Sequence, residues 1–144
     1  MSNPPLVKTI TVPWAIEPAF KRFTEAIDTW WPLDTHSVFP DDPSTAAMDC
    51  RVGGPITEKR ADGETAVWGT VLVFDAPRRV RFTWHPGREP DTAQEVEVTF
   101  EESGGGTLVT LTHTGWDILG EMAEETRSGY DTGWDLVLGR YNAD

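Results

Sequence analysis

Residues 116–141, WDILGEMAEETRSGYDTGWDLVLGRY, decide the fold. Trp116, Leu119, Met122, Ala123, Thr126, Tyr130, Trp134, Val137, Leu138 and Tyr141 recur there at spacings of three and four, which aligns them along one side of a helix. The pattern predicts a long amphipathic helix at the C-terminal end of the chain. Gly120, Gly129 and Gly133 each weaken such a helix by about 1 kcal/mol relative to alanine. Either a close packing partner or a kink is therefore expected at them.

Upstream the period changes. Between Ala46 and His113 the chain breaks into short β-rich runs separated by Gly53-Gly54, Asp62-Gly63, Ala76-Pro77, Pro86-Gly87 and Gly104-Gly105-Gly106, the punctuation of an antiparallel meander. Val80, Phe82 and Trp84 alternate with Arg79, Arg81 and Thr83, and Val96, Val98 and Phe100 alternate with Glu95, Glu97 and Thr99. Each run therefore has one buried face and one wet face. Arginines facing glutamates across the wet face predict cross-strand pairs that help set register. Thr70 to Phe74 carries apolar residues of both parities and reads as a strand covered on both sides.

At the other end, Leu6 to Val12 alternates around β-branched residues, and Glu17-Pro18 signals a helix start because proline lacks an amide hydrogen the first turn leaves unused. Phe20, Phe23, Ile27 and Trp30 or Trp31 then form one apolar stripe that Pro32 ends. Leu33 to Thr45, with Pro40, Pro43 and three aspartates, reads as a long loop.

At 144 residues the chain fits one domain, 1–144, without internal repeat or linker. The opening residues carry no apolar run, and nowhere do about 18 apolar residues follow one another, so neither a signal peptide nor a membrane insertion is expected and the location is cytoplasmic. A formal charge of −12 disfavours nucleic acid and anionic lipid. The lone Cys50 excludes an internal disulfide, and the scattered His36, His85 and His113 lack the clustering a metal requires, so no metal and no cofactor is predicted. Asp41-Asp42, Glu101-Glu102 and Glu124-Glu125 are sequence neighbours, not opposed acid and base. Neither a serine elbow nor a phosphate-cradling glycine loop is present.

Ile10-Thr11-Val12-Pro13 with Glu17 to Phe20, Trp30-Trp31-Pro32, Asp49 to Gly54, Trp68-Gly69-Thr70-Val71, Ala76 to Trp84, Gly105-Gly106-Thr107, Leu111 to Trp116 and Gly133-Trp134 occur in an order that spans nearly the whole chain. This series resembles the prokaryotic relatives of the activator of the ninety-kilodalton heat-shock-protein ATPase, within the START-like (SRPBCC) superfamily. The resemblance implies an α+β helix-grip fold: a seven-stranded curved antiparallel sheet wrapped around the long terminal helix, short helices after the first strand, and a cavity between sheet and helix.

Seven tryptophans are many for this length. Trp30, Trp31, Trp68, Trp84, Trp116 and Trp134 fall on elements the resemblance places near core or cavity. Each is accounted for by core packing or by ligand contact. His36, His113 and Tyr130 are the candidate polar anchors, against the alternatives of a solvated loop histidine and a satisfied strand-end histidine. The candidate ligand-binding set is Trp30, Trp31, His36, Trp68, Trp84, His113, Tyr130 and Trp134, with no catalytic residue assigned. The first functional reading is binding of a small hydrophobic or aromatic molecule. The resemblance implies two others: a chaperone partner for an ATPase-activator role, and a cofactor-independent polyketide cyclase-like enzyme.

Overall fold

The computed structural model describes residues 4–39, 41 and 43–142. Pro40 and Asp42, named above in the loop and in the Asp41-Asp42 pair, lie outside the described residues. The elements run β1 (Leu6–Val12), α1 (Ile16–Phe23), a 3-10 turn (Ile27–Thr29), β2 (Ser44–Met48), β3 (Pro55–Arg60), β4 (Thr65–Asp75) and β5 (Arg79–Trp84). A 3-10 turn (Pro90–Thr92), β6 (Gln94–Ser103), β7 (Gly106–Thr114), a 3-10 segment (Trp116–Met122) and α2 (Ala123–Asn142) complete the chain.

All seven strands join one antiparallel sheet in the order β1-β7-β6-β5-β4-β3-β2. β1, the first strand in sequence, pairs with the last, so the meander is closed at one side by the chain's own start. The alternation read in β5 and β6 is the observed one: Val80, Phe82, Trp84, Val96, Val98 and Phe100 are buried, and the residues between them are half-buried on the outer face. On that outer face Arg79 Nε donates to Glu97 Oε2 at 2.6 Å, and Arg81 pairs with Glu95. The register sets Arg79 opposite Thr99 and Arg81 opposite Glu97, so both ion pairs are diagonal.

Two readings need correction. β4 is not covered on both sides, since Leu72 is 39% exposed. The register between β4 and β5 passes from Val71–Phe82 to Val73–Arg81, so Leu72 is an extra residue in β4, a β-bulge. The bulge turns both Val71 and Phe74 toward the core, where Phe74 meets the Phe20 ring edge-on at 5.3 Å. Apolar residues of both parities therefore record a shift of phase, not a second buried face.

The stripe from Phe20 to Trp31 is likewise not one helix. α1 stops at Phe23, and Thr24 turns its hydroxyl back to the Phe20 carbonyl at 2.8 Å. The tighter path that follows lets the Trp30 indole reach back to the Arg22 carbonyl at 2.7 Å, and every residue of the stripe is still buried.

The terminal rod crosses the concave side of the sheet. Gly120, at φ 59° and ψ −124°, supplies a kink inside the 3-10 segment, two residues before that segment ends and α2 begins. Trp134, Val137, Leu138 and Tyr141 form the buried side of α2. Tyr141 contacts the rings of Phe23, Trp30 and Trp14 and donates its hydroxyl to the Ala19 carbonyl at 2.6 Å, locking the end of the rod to α1. Burial pushes that phenol above its ordinary range, with Arg22 opposing it.

Candidate functional site

A half-open cleft of about 550 Å³ lies between α2, the end of β5 and the loop after Pro32. On α2 the spacing 130, 133, 134 and 137 puts Tyr130, Gly133, Trp134 and Val137 on one face, so all four reach the cleft. β5 delivers Trp84 as its last inward residue, and the turn beyond it adds Pro86 and Gly87. The loop contributes Thr35, His36, Ser37 and Val38, and Trp31 stands just before it.

Among the described residues no Asp, Glu, Lys or Arg lines this space. Its walls are aromatic. Trp84 and Trp134 lie 5.6 Å apart at 39°, Trp134 and Tyr130 stack at 6.0 Å, and Trp31 stands edge-on to Trp134 at 6.0 Å. The polar groups sit on the loop side. His36 Nδ1 lies 2.7 Å from the Thr35 hydroxyl, and the Trp31 indole donates to the His36 carbonyl at 2.7 Å. The imidazole packs toward α2 at Gly133. A Cβ on Gly133 would lie 3.6 Å from His36 Cδ2.

Five of the eight candidates named from sequence thus meet at the cleft: Trp31, His36, Trp84, Tyr130 and Trp134. The other three stand behind it. Trp30 packs between Phe23, Trp31 and Tyr141. Trp68 is fully buried and backs Trp31 and Trp84 at 5.0 and 5.7 Å. His113, fully buried, accepts a hydrogen bond at Nδ1 from the Trp134 indole at 3.0 Å. That assignment leaves the proton on Nε2, which donates to Gln94 Oε1 at 3.2 Å. Gln94 is held in turn by Arg88 and donates to the Thr92 carbonyl at 2.8 Å. Burial first, and the Arg88 guanidinium second, lower the His113 pKa to about 3. The imidazole is a neutral bracket for Trp134.

Sequence reasoning missed Thr35, Ser37, Val38, Pro86, Gly87, Gly133 and Val137 as lining residues, and Gln94 as the support of His113. For Val137 and Gly133 a signal existed: Gly133 lies three residues after Tyr130, and Val137 three after Trp134, on the same helix. For the loop there was none, because an aperiodic segment does not announce which side chains turn inward.

One buried donor is left over. Trp84 Nε1, in a side chain only 3% exposed, has no acceptor among the described residues. Cys50 is half-buried, with burial foremost and Glu25 next raising its thiol pKa, which disfavours the reactive thiolate. No three metal-ligating side chains gather among the described residues, and no described helix is long and apolar enough to cross a membrane.

The profile of the family described as "Activator of Hsp90 ATPase homolog 1-like protein" matches residues 15–140, from the start of α1 to the end of α2. The chain belongs to this family. No curated protein matches the sequence. Among solved structures, the chain is 32% identical to Txn09, an anthrahydroquino-γ-pyrone synthase, with 90% of this chain and 88% of that one covered and a TM-score of 0.61. It is 17% identical to an Aha1 from Colwellia psychrerythraea, solved as a dimer, covering 97% and 94% with a TM-score of 0.70. Protein SSP2350 from Staphylococcus saprophyticus is 19% identical over 96% and 89%, with a TM-score of 0.70. These last two likenesses concern the fold alone. The AHSA-type, START-like resemblance read from the motifs is therefore the family the chain belongs to.

Proposed function

We propose that the cleft binds a small, neutral, planar aromatic molecule. The observation that carries this reading is the lining itself: three indoles and a phenol around an open space of about 550 Å³, with no carboxylate, ammonium or guanidinium at its surface among the described residues. Such a wall favours flat apolar faces and gives an ion nothing to replace its hydration. His36 and Tyr130 supply polar anchors at the rim. Trp84 Nε1, without an acceptor among the described residues, further favours a ligand bearing a carbonyl or phenolic oxygen that a small turn of the indole would reach. The test is titration with 1,8-dihydroxyanthraquinone, a neutral tricyclic probe, while tryptophan fluorescence is read. Saturable quenching at one probe per chain, weakened in Tyr130→Ala, is expected; no saturable quenching across a panel of naphthol, anthraquinone and flavone probes overturns the reading.

A second reading, a cofactor-independent ring-closing enzyme, is favoured by one observation: a relative 32% identical over most of both chains is an anthrahydroquino-γ-pyrone synthase. In such a site shape brings the reacting atoms together and a few proton-transfer groups suffice. His36 and Tyr130 are the titratable groups at the cleft among the described residues. Conversion of a hydroxyaryl precursor to a new ring, followed by mass spectrometry and chromatography and lost in His36→Ala, distinguishes turnover from binding. The chaperone-activator reading rests on the family description, and stimulation of the host chaperone's ATPase rate is its test.

A further inference from the structure

The carboxylate of Glu58 is buried in the sheet, with no exposed surface, and forms no ion pair among the described residues. Four donors converge on it instead. Oε1 accepts from the Val38 amide at 2.8 Å and the Trp68 indole at 3.1 Å; Oε2 accepts from the Phe39 amide at 3.1 Å and the Ser44 hydroxyl at 3.0 Å. Donors from three segments thus satisfy both oxygens of the carboxyl group. A buried carboxylate is costly where an apolar residue would fill the position, so its retention asks what it holds in place.

It holds the cleft. Val38 is part of the cleft wall and follows Thr35, His36 and Ser37, the wall's polar stretch. Trp68 is the indole that backs Trp31 and Trp84. The β3–β4 register advances by one extra residue at Trp68, between the Ile56–Gly69 and Thr57–Val67 pairs. That bulge re-aims the indole toward Glu58. Val38 and Phe39 lie outside every strand, so a fixed wall there needs another acceptor for their amides.

The geometry points to Glu58 as the positioning residue of the cleft: one carboxylate ties the loop that carries His36 to the indole that supports Trp31 and Trp84. This inference rests on the cleft being a binding site. Glu58→Gln keeps the size but presents an amide group where only acceptors fit. By hydrogen exchange on the full chain, Val38 and Phe39 amide protection is expected to fall about tenfold or more in this variant; unchanged protection overturns the clasp. In the same variant the dissociation constant for 1,8-dihydroxyanthraquinone is expected to rise about tenfold. Val109→Ala, a core truncation in β7 away from the cleft, controls for lost stability and is expected to stay within about twofold. An equal loss of affinity in both overturns the positioning role. Should Glu58→Gln fail to fold, Trp68→Phe and Ser44→Ala each remove one donor, and no change in loop exchange in either overturns the clasp. A wild-type chain that never binds the probe removes the cleft reading, and the exchange measurement then still decides whether Glu58 holds the loop.

Discussion

The Trp134 indole donates to His113 Nδ1 at 3.0 Å, a hydrogen bond from the terminal helix to the last strand. It fixes the central aromatic of the cleft from behind. It also fixes the protonation of a histidine stacked on Trp116 at 4.0 Å and met edge-on by Tyr130 at 4.9 Å.

The first prediction concerns pH. His113 has a pKa of about 3 in the fold, below its value of roughly 6.5 in an unfolded chain, so the unfolded state binds the extra proton between these limits. Above pH 6.5 the group leaves stability unchanged, and as pH falls toward 3 it costs up to about 1.4 kcal/mol per unit. The difference in unfolding free energy between wild type and His113→Gln should shrink through that window. Ring resonances of His113 should still report the neutral Nε2-protonated form at pH 5.

Two glycines should respond in opposite directions. A Cβ on Gly69 would lie 1.7 Å from the Thr83 carbonyl oxygen, which is backbone and cannot yield, so Gly69→Ala should cost about 3 kcal/mol. Gly129 has nothing within 4 Å of that position on α2, so Gly129→Ala should add roughly 0.5–1 kcal/mol. Urea denaturation of both variants measures the contrast.

Gly133 offers a way to close the cleft. Its absent side chain faces His36, with ordinary van der Waals room for a first carbon. Gly133→Leu should fill the space between helix and loop, lowering probe affinity by about tenfold or more with the circular dichroism unchanged. Undiminished affinity would place the probe elsewhere.

Tyr141→Phe removes the hydroxyl that meets the Ala19 carbonyl and keeps the ring contacts. A loss of roughly 1–2 kcal/mol is expected, read as a lower midpoint without a change in slope. The diagonal pairs on the outer face should matter less. Their side chains are about a third or more exposed, so Glu97→Gln or Glu95→Gln should cost under about 1 kcal/mol, with a difference that shrinks in salt.

Much of this architecture was legible because it is periodic. Val80, Phe82 and Trp84 share a phase that only a strand with one buried face produces. Tyr130, Trp134, Val137 and Tyr141 share one that only a helix produces, and the motif series supplied the order in which these elements close on one another. The bulge at Leu72 was present as a break in parity, but the letters alone allow a doubly covered strand equally well. Glu58 also left a trace, since it shares the inward phase of Ile56, although nothing adjacent in sequence shows what would satisfy it.

Local composition, then, was enough to specify a sheet, a terminal rod and a surplus of indoles, because propensity and alternation act over a few neighbouring residues. Folding alone chose which indoles face the open space and which are sealed behind it. Trp84 and Trp68 differ in that respect only through strand register, a bulge and the path of a loop. Each of these joins residues far apart along the chain, as do the partners of Glu58 and His113, and so appears only when the packed domain brings them together.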